Sequence, residues 1–219
     1  MICSKRAGQR LNANCGRISV GQSMRSVRES TQEIVKLGLA PMFKRHGFRK
    51  TGLHFSRRSG TVEHHFNVQL SQWNHGSVGH FYLNAGVLFD DIKRFFGQES
   101  PKLAKVWDCV FQVRLESIDP QLPQRINIDE NTDVNSVAKW LTERIEKTFI
   151  VPLNAVSSTQ EFLATGWVNI NPWGFPSIFY YIIGEKAEAR RLVETEANFF
   201  ANRGCTFESI AKGRNLSFS

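Results

Sequence analysis

Three stretches that alternate apolar and polar residues, joined by turn-length links, constrain this chain more than any other feature. Residues 62–73 place Val62, Phe66, Val68 and Leu70 on one side. Glu63, His65, Asn67, Gln69, Ser71 and Trp73 fall on the other. Residues 80–89 set Phe81, Leu83, Ala85, Val87 and Phe89 against His80, Tyr82 and Asn84, and residues 53–58 set Leu53 and Phe55 against His54, Ser56 and Arg58. Successive side chains of a strand point to opposite faces, so a period of two marks a half-buried strand and cannot be satisfied by a helix. Ser59-Gly60 and residues 74–79 are the lengths and compositions of hairpin turns, which makes neighbouring strands antiparallel. Residues 110–118 resume the alternation, with Phe111, Val113 and Leu115 opposite Gln112, Arg114 and Glu116, and are expected as a fourth strand.

Helices are expected on both flanks. Ser30-Thr31-Gln32-Glu33 has the spacing of a capping box, and Ile34, Val35, Leu37, Met42 and Phe43 follow it with an apolar face. Pro41 should kink or split that helix and Gly47 should stop it. Residues 90–96 suit a short helix ending at Gly97, and Ser100-Pro101 can open another. Asp133 caps the clearest helix, in which Val134, Val137, Ala138, Leu141, Ile145 and Phe149 recur at helical spacing and Pro152 lies just beyond. Residues 157–164 suit a short helix and 167–174 a loop. Residues 178–183 and 186–202 form a helical pair broken at Gly184. Strands early and helices late give an α+β fold: an antiparallel sheet of four to five strands packed on helices. Residues 24–219 are expected to form one domain, with a family-like core at 30–165 and the helical pair at 170–205.

The polar face carries the functional interest. A merely solvated face is usually rich in Lys, Glu and Thr. This one collects neutral hydrogen-bonding groups beside aromatic rings, which is what a site uses to orient a ligand. The candidate binding residues are His65, Asn67, Gln69, Ser71, Trp73, His80, Tyr82, Asn84 and Arg114. Solvation, or burial under a helix with the amides satisfying backbone groups, are the competing readings. Trp107, Trp140 and Trp167 are expected in the core, and Trp73 and Trp173 at partly exposed positions.

Chemistry with a sharper signature is missing from the pattern. There is no G-x-x-x-x-G-K-[ST] phosphate loop and no G-x-S-x-G elbow. Asp129, Asn131 and Asp133 imitate the start of a calcium loop, but Val134 and Trp140 stand where the glycine and the bidentate glutamate belong. They read as a solvated loop and a helix cap, and Asp90-Asp91 reads as a helix start. His54, His65 and His80 would suit zinc if the strand register brought them together; ordinary hydrogen-bonded histidines are expected instead, with no metal and no cofactor. A hydrolase-like or transferase-like enzyme using Glu63, His65, His80 and Arg114 is an alternative, weakened by the lack of a paired nucleophile and base.

Charge separates a tail from a body. Six of the 28 basic residues (Lys5, Arg6, Arg10, Arg17, Arg25 and Arg28) precede Glu29, the first acid, leaving 22 basic against 20 acidic residues beyond. The body is nearly neutral, so no basic folded groove is expected, and nucleic-acid affinity would be weak and carried by the tail. Residues 1–23 show no period and are expected to be a disordered basic extension, with Met24 as an alternative start. No apolar run follows the tail's basic residues as in a secretory signal, and none is long enough to span a bilayer. Cys3, Cys15, Cys109 and Cys205 form no C-x-x-C pair and read as free thiols of a cytoplasmic protein.

Three segments carry a resemblance to a known family. Gly47-Phe48-Arg49-Lys50-Thr51-Gly52 precedes a strand ending Phe55-Ser56-Arg57. Gln69-Leu70-Ser71-Gln72-Trp73 is the second, and Phe81-Tyr82-Leu83-Asn84-Ala85-Gly86-Val87 the third. Cys109 followed by Arg114-Leu115 is similar to a later strand of the same family. In this order and spacing they resemble the bacterial domain-of-unknown-function family numbered 4304, over roughly residues 30–165. The resemblance implies a compact cytosolic α+β domain and no agreed activity. The expected role is a binding module for a protein, an immunity-type partner among them, or for a small ligand, working through the polar sheet face.

Overall fold

The computed structural model describes residues 25–99, 101–170 and 176–218. The expected disordered tail, Met24 and Trp173 lie outside them.

The chain is α+β. Strands β1 (Arg49–Thr51), β2 (His54–Ser59), β3 (Val62–Leu70), β4 (Gly79–Phe89) and β5 (Phe111–Arg114) lie side by side in that order, every pair antiparallel. A sixth strand, β6 (Ile126–Ile128), pairs with the Gly79–Phe81 end of β4. The alternation located β2, β3 and β4. It missed the three-residue strands β1 and β6, which are too short to show a period. The expected fourth strand is shorter than its pattern: after Arg114 the chain turns into a 3-10 turn, Leu115–Ser117, that buries Leu115.

Helices cover the apolar face. The first begins earlier than expected, at α1 (Val27–Ile34). Ser26 and Glu29 form the capping box, with the Glu29 amide donating to Ser26 Oγ at 3.2 Å and the Ser26 amide to Glu29 Oε2 at 2.8 Å. The same S-x-x-E spacing occurs twice, four residues apart. The upstream copy wins because it adds Val27 to the buried stripe, while Ser30 and Thr31 are themselves buried inside the helix. A π-helical turn (Val35–Leu39) then leads into α2 (Ala40–Arg45). Helix α4 (Val134–Ile145) has the same sequel: a π turn (Glu146–Ile150) and then α5 (Val151–Leu153).

Both π turns stand directly before a proline. Ala40 donates to the Val35 carbonyl and Val151 to the Glu146 carbonyl, each five residues back, and Pro41 and Pro152 come next. A proline inside a helix has no N–H and its ring collides with the carbonyl four residues earlier. One inserted residue per turn moves that carbonyl aside. Pro152 therefore does not lie beyond the helix, as expected; the helix passes through it. Gly47, with φ of +78°, stops α2 as expected.

The two proline-bearing helices cross at Gly38. A Cβ there would lie 2.6 Å from the Ala138 carbonyl oxygen and against Thr142 Oγ1, inside any allowed contact. His46 and Arg45 tie the pair further, with Nε2 of His46 2.7 Å from Glu146 Oε1. Helix propensity alone favours Gly38→Ala by about 1 kcal/mol. Overpacking a rigid backbone contact costs about 1–3 kcal/mol and should win. Urea denaturation of Gly38→Ala should therefore show a less stable protein; a more stable one would mean the crossing is looser than described.

Aromatic rings fill the space between sheet and helices. Phe43 stacks on Phe55 at 4.4 Å, and Phe66 meets Phe149, which stacks on Trp167. Helix α6 (Thr159–Ala164), capped by Ser158, adds Phe162. The C-terminal helices α7 (Pro176–Ile182), α8 (Lys186–Phe199) and α9 (Phe207–Gly213) extend the same buried cluster through Phe179, Val193, Ala211 and Leu216. The sequence pattern did not reveal α9. Among the described residues no helix is long and apolar enough to cross a membrane.

Candidate functional site

The other face of the sheet is neither solvated throughout nor covered by a helix. An irregular strap, residues 102–110, crosses it. The expected helix from Ser100-Pro101 does not form over residues 101–105; the strap holds only a 3-10 turn, Val106–Asp108, in which Asp108 accepts from the Lys105 amide at 2.8 Å. Helix formation loses because Ala104 and Cys109 are drawn onto Leu88 in a small second apolar cluster. Gly86 makes room: a Cβ there would meet Cys109 at 2.9 Å. Gln112 latches the strap, its amide nitrogen donating to the carbonyls of Cys109 (2.7 Å) and Trp107 (3.0 Å). Burial pushes the Cys109 thiol up, so it stays protonated and inert.

The strap seals part of the polar row. His54 and His65 are buried beneath it, His54 Nε2 lying 3.0 Å from His65 Nδ1. The other nitrogen of each ring has no hydrogen-bond partner among the described residues. His65 Nε2 is 3.5 Å from Glu63 Oε1, outside hydrogen-bonding geometry. Burial pulls both imidazoles down to about 4, with Lys105 adding to the drop and Asp108 opposing it. Both rings are neutral at pH 7.

His80 does not join them. The register pairs His65 with Gly86, six residues along β4 from His80, roughly 20 Å at 3.3 Å per residue. His80 instead bonds the Tyr82 hydroxyl at 2.9 Å. The three-histidine arrangement weighed for zinc is therefore not formed. Among the described residues no three His, Cys, Asp or Glu side chains gather in a metal-binding group. The imitation calcium loop is spent on local bonds, Asp129 accepting from the Asn131 amide and Thr132 and Asp133 capping α4. The enzyme quartet is dispersed in the same way: Glu63 and His65 pair with Leu88 and Gly86 at one end of the face, Arg114 stands mid-strand opposite Asn84, and His80 lies four residues further along β4.

Beyond the strap the face opens into a groove of about 510 Å³. Asn67 and Gln69 of β3, Asn84 of β4, and Gln112, Val113 and Arg114 of β5 line it with Val106 and Trp107 of the strap. Antiparallel pairing sets Asn67 opposite Asn84 and Asn84 opposite Arg114, which makes one polar row across three strands. Asn84 Nδ2 donates to Gln69 Oε1 at 2.9 Å, fixing both amides. Arg114 lays its guanidinium over the Tyr82 ring at 3.9 Å, and no carboxylate pairs with it among the described residues. Such a stacked guanidinium is held flat with its N–H edge free to donate.

Of the nine candidates, Asn67, Gln69, Asn84 and Arg114 thus share a groove, with Tyr82 and His80 supporting Arg114 from below. His65 is sealed off. Ser71 and Trp73 belong to the β3–β4 loop, where Ser71 Oγ accepts from the Trp73 amide, and Trp73 is 74% exposed. Trp107 was missed. It is 66% exposed, not core, and Trp140 at 38% is not core either; of the three, only Trp167 is buried. Trp140 lies off the Ala138–Leu141–Ile145 stripe of α4, and Trp107 is turned outward by the burial of Val106 and Cys109 on either side. One signal of the strap was available: Gly86 and Leu88 interrupt an otherwise polar row, and apolar residues on a face imply cover.

A family model described as Domain of unknown function (DUF4304) matches residues 39–173. No curated protein matches the chain, and no solved structure does.

Proposed function

The chain belongs to the DUF4304 family of domains of unknown function, and from that premise we propose that it is a binding module that recognises a partner protein through the amide-lined groove beside the strap. All the groove residues fall within the matched part of the chain. One observation carries this reading. Four carboxamides and a stacked guanidinium line an open groove on the sheet side, and an exposed indole stands on the strap side. Amides and a guanidinium orient hydrogen-bonded partners; they do not accept or deliver protons at neutral pH. Of the histidines on this face, His54 and His65 are buried and neutral, and His80 is engaged by the Tyr82 hydroxyl. Arg and Trp are also the residues that anchor protein interfaces most often. Arg114, paired with no carboxylate among the described residues, favours a partner segment that supplies one.

The test compares stability with capture. Gln69→Ala and Arg114→Ala remove exposed side chains and should change stability by under about 0.5 kcal/mol. Trp107→Ala should weaken binding by about 2 kcal/mol or more, as expected of a central aromatic anchor. Partners captured from the native host by the wild-type chain are identified and their affinities measured for the three variants. A partner held equally well by Trp107→Ala and Arg114→Ala would place recognition elsewhere. A saturable small molecule bound in the groove, and lost in these variants, would replace the protein partner with a ligand.

A further inference from the structure

The strap has a second side. Between it and strands β1 and β2 lies a cleft of about 450 Å³. The near-neutral count of the body concealed what the fold collects there. The register pairs Arg49 with Ser56 and Thr51 with His54, so all four share the face that lines this cleft. Lys102 and Lys105 descend from the strap onto the same space.

The charges in the cleft are not matched. Arg58 pairs with Asp90, the first residue of α3 (Asp90–Phe95). Glu63, the one carboxylate of the lining, stands opposite Arg58 and accepts from the Ser56 hydroxyl. Arg49, Lys102 and Lys105 form no ion pair among the described residues. Three cations held around one concavity repel one another, and a bound anion relieves that repulsion. Below them His54, buried and with no partner for Nδ1 among the described residues, forms part of the floor. Thr51 adds a hydroxyl at the rim.

We propose that this cleft binds the phosphate group of a small phosphorylated molecule. A phosphate monoester carries a charge of about −1.5 to −2 at pH 7 and three acceptor oxygens. A guanidinium fork and two ammonium groups supply the matching charge and donors. One carboxylate would leave at least one of the cations unanswered. The volume suits a molecule of nucleotide size or smaller. A nucleic-acid strand would need a track of cations continuing past the cleft, and on its two sides stand the buried Ala104–Cys109–Leu88 cluster and the exposed edge of β1. None of the groove residues beyond the strap takes part, so this inference stands independently of the proposed protein partner.

The experiment uses the full chain, with the basic N-terminal residues present in every sample. Calorimetric titrations with inorganic phosphate, pyrophosphate and a nucleoside monophosphate are run on the wild type, on Arg49→Ala/Lys102→Ala/Lys105→Ala, and on Lys139→Ala, an exposed lysine of α4 outside both the groove and the cleft. Wild type should bind saturably, and the triple variant should lose at least about tenfold in affinity, a modest loss for charge-assisted hydrogen bonds. Lys139→Ala should bind as wild type does. Equal affinity for phosphate and the monophosphate makes the free anion the occupant; a preference for the monophosphate makes it an ester; both support the cleft. Arg49 and Lys102 are exposed, so the fold should survive, and Arg49→Glu alone, checked by its melting temperature, should weaken binding in the same direction. No saturable binding by the wild type overturns the proposal. So does undiminished binding by the triple variant, which would move the anion to the N-terminal basic residues. Tighter binding of a single-stranded oligonucleotide than of the monophosphate, lost in the triple variant, would overturn it in favour of nucleic acid.

Discussion

Lowering the pH from 7 to 5 should cost this protein roughly 4–6 kcal/mol of stability, enough to unfold a domain of ordinary marginal stability. Three histidines carry the effect. His54 and His65 are buried under the strap. His64 is buried on the opposite face, where Arg57 Nε donates to its Nδ1 at 3.1 Å and so keeps the ring proton on Nε2. Burial, aided by the Arg57 charge and by His65, pulls His64 down to about 3, and burial pulls His54 and His65 down to about 4. In the unfolded chain each titrates near 6.5. The unfolded state therefore takes up protons first. Stability is complete above pH 6.5 and falls as the pH drops towards 4, by up to about 1.4 kcal/mol per histidine per pH unit. Urea denaturation at pH 7, 6 and 5 measures the slope, and His54→Gln/His65→Gln should remove most of it. A stability that stays flat from pH 7 to pH 5 would mean that these rings reach water or a counter-ion when protonated.

Phe162→Ala should cost about 3–5 kcal/mol, the usual range for truncating a buried phenylalanine. The Phe162 ring lies 5.0 Å from Phe89 of β4, 4.8 Å from Phe111 of β5, 5.6 Å from Phe179 of α7 and 6.4 Å from Trp167. It joins the sheet to the C-terminal helices through one set of contacts, so the loss should appear as a single earlier unfolding transition. Leu103→Ala, on a side chain 80% exposed, serves as the comparison and should change stability by under about 0.5 kcal/mol. A cost below about 1 kcal/mol for Phe162→Ala, or a separate melting step, would show that helices α7 to α9 fold apart from the sheet.

The residues themselves show how far a pattern reaches. Strands β2 to β4 were legible because period-two alternation is local: each residue's face follows from its neighbours. Helix α4 and its Asp133 cap were legible for the same reason. The first helix was placed four residues late because Ser26 and Ser30 both begin an S-x-x-E box, and the choice depends on whether Val27 finds a core. Pro41 and Pro152 were read as breaks because a π turn that absorbs a proline leaves no mark in the sequence. The short strands β1 and β6 had too few residues to show a period.

The candidate site divides along the same line. Asn67, Gln69, Asn84 and Arg114 could be assigned to one face by counting in twos, and the register brought those four into one groove. What covers that face could not be counted. The strap lies across it because Ala104 and Cys109 pack on Leu88, well upstream in β4, with Gly86 leaving the space. That contact turned His54 and His65 from surface groups into buried neutral rings, brought Trp107 to the surface, and separated an amide groove from a cationic cleft. The cleft is the sharpest case. A charge count sums over everything beyond Arg28 and finds it nearly neutral. Local electrostatics depend on distance, and only the pairing of Arg49 with Ser56 and the descent of Lys102 and Lys105 bring unlike stretches of sequence to one place. By itself the sequence determined which residues alternate, where a capping box can form and which faces are apolar, since those are properties of neighbours. The tertiary structure decided what each face meets, because contacts between distant segments are set by packing that no local period records.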